Sequence, residues 1–384
     1  MNDGTGSTMT DLLLQGAQVL WPDGLAEGNL AVSDGMFASG SHGRSVDLSG
    51  FRILPGIVDI HGDGFERHLA PRRGVMKDFG EGLRSVDAEL AANGITTAVL
   101  AQFWSWEGGM RGPEHAARLV DGLKTTPDLR VDMQVQLRFE THMLDDYEAM
   151  EALIDRGGIT YVVLNDHLPH DALIKGKKPP RLTGQALKGG RSPEAHLAMM
   201  QAMHNRTEEV PAALEGLAAR LRAKGVIVGS HDDNTIAGRT WFRSIGVDVS
   251  EFPETEETAR FAQDGGDQVI LGAPNVVRGG SHAGKVSAVD LIGQGIGVAL
   301  ASDYHYPAPR QAALALADQV GLDTAWGLVS RGPAGVLGLS DRGQIEFGLR
   351  ADFVVLDDLN RVVATFVRGQ PAFMAGEVVS RFIG

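Results

Sequence analysis

LPGIVDIHGDG, residues 54–64, is a Pro-Gly turn followed by a short apolar run that ends in ligand-type side chains. An apolar run of this length, bounded by turn residues, reads as a buried strand. In an extended strand residues i and i+2 project to the same side, so His61 and Asp63 can face one point. Seven more such runs follow, ending near Gln102, Glu140, Asp166, His231, Phe252, Asn275 and Asp303. Helical patterns fill most gaps, for example 82–93 and 209–224. Alternating strands and helices make parallel βα units, and eight of them close a barrel. The expected class is α/β, a TIM-like (β/α)8 barrel. No G-x-G-x-x-G follows the first strand, so an open dinucleotide-binding sheet lacks its usual support.

Outward from the barrel the style changes. Residues 11–51 alternate short apolar runs with the turn signals Asp23-Gly24 and Asp34-Gly35, which reads as hairpins. Residues 349–357, 361–368 and 372–380 read as three more strands. The expectation is a small β-sandwich domain formed from both chain termini. Residues 1–54 and 340–384 supply its two parts, and 55–339 the barrel. The segment from Leu168 to Arg206 is long for a βα loop. With Lys175, Lys177, Lys178 and Arg181 it reads either as a lid or binding loop or as a solvated basic surface.

Composition narrows the chemistry. The 384 residues carry a net charge of −14, with no long basic stretch, so nucleic acid is not an expected partner. No apolar run approaches the ~20 residues of a membrane-spanning helix. The opening MNDGTGSTM has neither the basic nor the apolar region of a secretory signal. Cysteine is absent, so any metal must sit on His, Asp and Glu. The cytoplasm is the default location, and a homodimer is the default assembly were the chain a soluble enzyme.

In a barrel the active site lies at the C-terminal ends of the strands. There this sequence places His61, Asp63, Glu140, His167, His231 and Asp303. A lone strand-end histidine is usually a hydrogen-bonded structural residue. Six ligand-type residues at one end of five strands, in a chain without thiols, point to one or two divalent ions. Zn²⁺ is the first expectation, with Mn²⁺ or Fe²⁺ as alternatives. Asp232 and Asp233 read as partners orienting His231 or as helix caps, with the cap favoured for Asp233. His142 reads either as an assisting residue or as a loop position. His68, His115, His196 and His204 read as surface histidines.

These residues resemble the amidohydrolase superfamily over nearly the whole chain. LPGIVDIHGD is similar to that superfamily's first barrel strand, Pro-Gly followed by Asp/Glu-x-His-x-His, with Asp63 in place of the second histidine. Glu140 occupies the place of a metal-bridging carboxylated lysine, and GQIEFGLRADFVVLD resembles the sheet domain's return. SHDD (230–233), GAPNVVRGGSHAG (272–284) and SDY (302–304) resemble one branch, the diphosphatases of the carbon–phosphorus lyase pathway in phosphonate metabolism. Departures from that branch are Gly62 and Gly64 around Asp63, and Lys285 after the Ser-His run; Pro71-Arg72 followed by Arg73 conforms.

The resemblance implies a metal-dependent hydrolase that splits α-D-ribose 1-methylphosphonate 5-triphosphate into the 5-phosphate and pyrophosphate. Metal-activated water would attack phosphorus, with Asp303 as ligand or general base. Arg278, Ser281 and His282 would bind the anionic phosphorylated substrate, His282 also serving as an acid, with Arg72, Arg73 and Lys285 as further phosphate contacts. Two other enzyme readings share these residues: deacetylation of an N-acetyl-amino-sugar phosphate, and hydrolysis of a cyclic amide. A catalytically silent barrel scaffold is the third alternative.

Overall fold

The computed structural model describes residues 11–40, 43–70, 78–279 and 286–383. Eight parallel strands form the barrel: Ile57–Gly62, Ile95–Trp104, Asp132–Glu140, Tyr161–Asn165, Ile227–His231, Val249–Glu251, Gln268–Gly272 and Ala299–Ala301. Each pairs with its sequence neighbours. A parallel bridge between Gly62 and Asp303 brings the first and last strands together. Next to it, Asp59 accepts hydrogen bonds from the Ser302 N–H (2.9 Å) and hydroxyl (2.6 Å). A Cβ at Gly62 would lie 2.6 Å from the Asp59 carboxylate and 2.8 Å from both the Ser302 hydroxyl and the Tyr306 ring. Only glycine fits this closure, which gives the Gly62 departure a physical reason.

Side chains alternate along each strand as period two demands. Val58, Ile60, Tyr161, Val163, Val249 and Ile270 pack together in the lumen. Residues one position away, such as Ile57, Val162 and Leu164, pack with the surrounding helices. The helices at Phe79–Ala92 and Val210–Ala223 lie where the apolar periodicity puts them. Within the barrel two places differ from the sequence reading. The seventh strand stops at Gly272 and a helix, Ala273–Val277, starts there, because Pro274 suits a first helical turn and cannot donate to a ladder. The segment after Leu168 is not a bare loop: it holds the helices His170–Ile174, Leu182–Lys188 and Pro193–His204.

A second, mostly antiparallel sheet interleaves the two ends of the chain. Its order runs Gln370–Met374, Val362–Val367, Phe353–Leu356, Arg52–Pro55, Leu12–Trp21, Gly24–Ser33, Met36–Ala38, with Arg44–Asp47 also on Leu12–Trp21. Asp34 and Gly35, at φ 51° and 75°, make the tight turn their Asp-Gly signature calls for. The last strand ends at Met374, short of the expected 380, and Val378–Ile383 is helical. Among the described residues no helix is long and apolar enough to cross a membrane.

Candidate metal centre and active site

The first strand carries one extra residue against its neighbour, since Asp59 pairs with Ala98 but Gly62 with Leu100. Such a bulge re-aims the side chains beyond it. His61, fully buried, meets Glu251 at the end of the sixth strand, with Nδ1 2.8 Å from Oε2. The contact is an ion-pair distance without the alignment of a hydrogen bond: both atoms, and His61 Nε2 and His231 Nδ1, are buried with no hydrogen-bond partner. The His61 and His231 rings lie 5.6 Å apart, and Phe252 meets both edge-on at 5.1 Å. Ligand atoms of His61, His231 and Glu251 all fall within 4.8 Å of one another. Two imidazoles and a carboxylate, with buried unpaired atoms converging, fit a borderline divalent cation.

Glu251 is the residue that sequence reasoning missed. Its Oε1 accepts from the Tyr161 hydroxyl (2.5 Å) and Gln136 Nε2 (2.8 Å), so the lumen holds it rigidly. Burial pushes its carboxyl up, but the His61 imidazole and the neighbouring donors outweigh that and leave it below its ordinary value. His231 is held down, to about 4, by burial and then by the Arg138 charge. It therefore stays neutral near physiological pH.

Arg138, also unforeseen, comes from the lumen face of the third strand, two residues before Glu140. Its Nη2 is 3.1 Å from His231 Nε2 and its Nη1 3.7 Å from Asp63 Oδ2, while the guanidinium stacks 4.0 Å over Phe103. Buried Arg138 Nε has no hydrogen-bond partner. Asp63 and Asp303 are tied by main chain: the Asp63 N–H donates to the Asp303 carbonyl (2.8 Å), and the Asp303 N–H to that of His61 (2.9 Å). Burial, with Asp63 nearby, raises the Asp303 carboxyl despite the pull of His61, which makes it a better proton acceptor than an exposed aspartate.

Glu140 and His167 form their own pair on the adjoining strands. Glu140 Oε1 is 2.5 Å from His167 Nδ1 and Oε2 accepts the His167 N–H at 3.0 Å. Burial opposes charge on His167, but the Glu140 carboxylate overcomes it and raises the imidazole above its usual range. Phe103 joins the two groups, its ring 6.1 Å from that of His167.

Asp232 Oδ2 lies 3.1 Å from His231 Nδ1, the nitrogen on the metal-facing side, so it stands beside the candidate ion and does not hold the far side of the ring. Asp233 is not the expected cap. Thr235 caps the helix Ile236–Ser244, and Asp233 Oδ2 instead accepts from Ser230 (2.7 Å), Ser250 (2.6 Å) and Arg239 (3.1 Å). His115 and His196 are buried rather than at the surface, because apolar helix faces carry them inward. Arg278 borders a pocket of about 220 Å³ whose walls include Asp232, Phe252, Asn275 and Asp303. Its guanidinium donates to the Tyr304 hydroxyl. Arg72, Arg73, Ser281, His282 and Lys285 lie outside the described residues.

The α-D-ribose 1-methylphosphonate 5-triphosphate diphosphatase of Escherichia coli K12 is 30% identical over 366 residues, covering 90% of this chain and 94% of that protein. This chain belongs to its family, within the amidohydrolase superfamily. As a member of that superfamily it is a hydrolase of the amidohydrolase type. No family model matches the chain. Among solved structures, a triazine hydrolase variant superposes with a TM-score of 0.63 at 14% identity, covering 97% of this chain and 98% of that one. The N-acetyl-D-glucosamine-6-phosphate deacetylase of Mycobacterium smegmatis gives 0.61 at 16%, covering 94% and 99%. These similarities speak to the shared fold of the superfamily.

Proposed function

We propose that this amidohydrolase cleaves the α–β phosphoric anhydride of α-D-ribose 1-methylphosphonate 5-triphosphate, releasing pyrophosphate and the 5-phosphate. One observation carries the substrate: the relative named for that reaction matches 90% of the chain, more than the barrel alone occupies. The site's chemistry agrees with it. His61, His231 and Glu251 would hold a divalent ion, with Asp63, Asp303 and the Glu140–His167 pair as the remaining ligand candidates. Zinc suits this donor set. A bound ion would supply the Lewis acidity that makes water nucleophilic near neutral pH.

The chain's own groups do the rest. Asp303, raised by burial, takes the proton from the attacking water. The new oxygen–phosphorus bond forms at the α-phosphorus as the bond to the pyrophosphate oxygen breaks. Arg138, with its unpaired Nε, and Arg278, which lines the same pocket as Asp303, neutralise the charge that collects on the phosphates. Ser281, His282, Arg72, Arg73 and Lys285 are further phosphate-binding candidates, with His282 as proton donor to the leaving group.

Hydrolysis in ¹⁸O-water followed by ³¹P NMR tests the reading. Pyrophosphate should appear unlabelled, with the isotope in the 5-phosphate. Turnover of N-acyl amino-sugar phosphates with no pyrophosphate from the triphosphate would overturn it.

A further inference from the structure

A second group of imidazoles stands at the barrel mouth, apart from the His61–His231–Glu251 cluster. His142 follows the third strand and Asp166 the fourth; His170 opens the helix His170–Ile174 and His204 ends the helix Pro193–His204. His170 Nε2 is 3.0 Å from Asp166 Oδ2, and His142 Nδ1 is 3.5 Å from Asp166 Oδ1. The His142 and His170 ring centroids lie 4.8 Å apart with their planes tilted by 53°. One ligand-type atom from each of the three residues falls within 4.8 Å of the others.

The far side of each ring is also accounted for. His170 Nδ1 is 2.7 Å from His204 Nδ1, and His142 Nε2 is 3.2 Å from the Thr207 hydroxyl. Each imidazole is thus held by its outer nitrogen and turns the inner one toward Asp166, that of His142 lying also 3.3 Å from the Thr141 hydroxyl. Metal-bound histidines are supported in this way, the second nitrogen fixing tautomer and ring orientation. Donors around a four-coordinate zinc at ~2.0–2.1 Å sit roughly 3.3 Å apart, and from the single oxygen Asp166 Oδ1 the separations are 3.1 Å to His170 Nε2 and 3.5 Å to His142 Nδ1. His142 is nearly buried, whereas Asp166 is 41% exposed and leaves a way in for an ion. The neighbouring cleft, about 670 Å³, runs from His142, Asp166 and Thr207 to His231 and Asp232.

We propose that His142, Asp166 and His170 form a second divalent-cation site of the zinc type, oriented by His204 and Thr207, that fastens the 168–206 segment to the barrel. The segment's own core is small: Leu168, Leu173, Leu182 and Met200 against Trp106. An ion joining its first helix to two barrel strands adds a fixed point that this core lacks. The assignment does not depend on the substrate proposed above.

The test uses the full chain, stripped with a chelator and titrated with Zn²⁺ alone. The unsubstituted chain should bind one equivalent more than His170→Ala or Asp166→Asn. In limited proteolysis, Zn²⁺ should slow cleavage within 168–206 in the unsubstituted chain and not in those variants. His204→Gln, which removes only the orienting contact, should bind the extra equivalent roughly 10–100-fold more weakly. Where His170→Ala fails to fold, Asp166→Asn, at a partly exposed position, carries the comparison. Equal stoichiometry and equal protection in all variants would show a hydrogen-bonded clasp and overturn the site.

Discussion

Asp303 sits at φ 53°, in the left-handed region that only glycine, asparagine and aspartate enter at small cost. Its main-chain bonds to His61 and Asp63 do not involve its carboxylate. Asp303→Asn therefore keeps the backbone geometry and removes the proton acceptor. The expected result is a loss in kcat on the order of 10²–10⁴-fold, with KM and the circular dichroism spectrum close to those of the parent. Substantial residual turnover would take Asp303 out of the chemistry. Asp303 was legible in the sequence because a strand-end Ser-Asp is conspicuous after an apolar run. Glu251 was not. It lies in SEFPETEE, where one more glutamate carries no signal, and its strand is three residues long. Only counting inward positions from Val249 would have reached it. Arg138 escaped for a related reason: an arginine in a strand reads as surface until the lumen around it is known.

At the scale of elements, the fold was legible wherever apolar spacing persisted for several turns or a full strand. It failed in 168–206, whose first two helices have five and seven residues, too short for a period of 3.6 to stand out. Long-range polar ties were also invisible. Asp132, at the start of the third barrel strand, accepts from Arg342 (2.5 Å) and Arg350 (2.8 Å), both nearly buried and both on the approach to the terminal sheet. Burial raises the Asp132 carboxyl, but the two guanidiniums more than reverse this and hold it below its ordinary value. Asp132→Asn leaves both arginines short of charge, although Asp341 and Asp352 still partner them. The expected destabilisation is about 2 kcal/mol, less than for a fully orphaned buried pair, read from urea unfolding. A carboxyl lowered in the folded state contributes stability above its unfolded pKa and loses it as pH falls through the folded one. The difference between parent and variant should thus be full at neutral pH and shrink below about pH 4. A difference that stays constant down to acid would mean Asp132 acts through packing rather than charge.

For the molecule as a whole, the decisive fact is that His61, His231 and Glu251 stand on strands one, five and six and meet only when the barrel is formed. An ion bound there stabilises the native state and has no comparable site in the unfolded chain. At a thousand times its Kd, such an ion contributes about 4.1 kcal/mol, which for a chain of this size raises the thermal midpoint on the order of 5–8 °C. Removing metal with a chelator should lower the midpoint by that order, and Zn²⁺ should restore it. Glu251→Gln preserves an oxygen for Tyr161 and Gln136 while replacing the ligand oxygen that faces His61. In that variant the chelator-dependent shift should shrink. His170→Ala should remove a separate share of the shift, because the two clusters have no ligand in common. A midpoint indifferent to chelation, or a shift of the same size in Glu251→Gln, would mean that the converging imidazoles and carboxylate hold the barrel together without an ion.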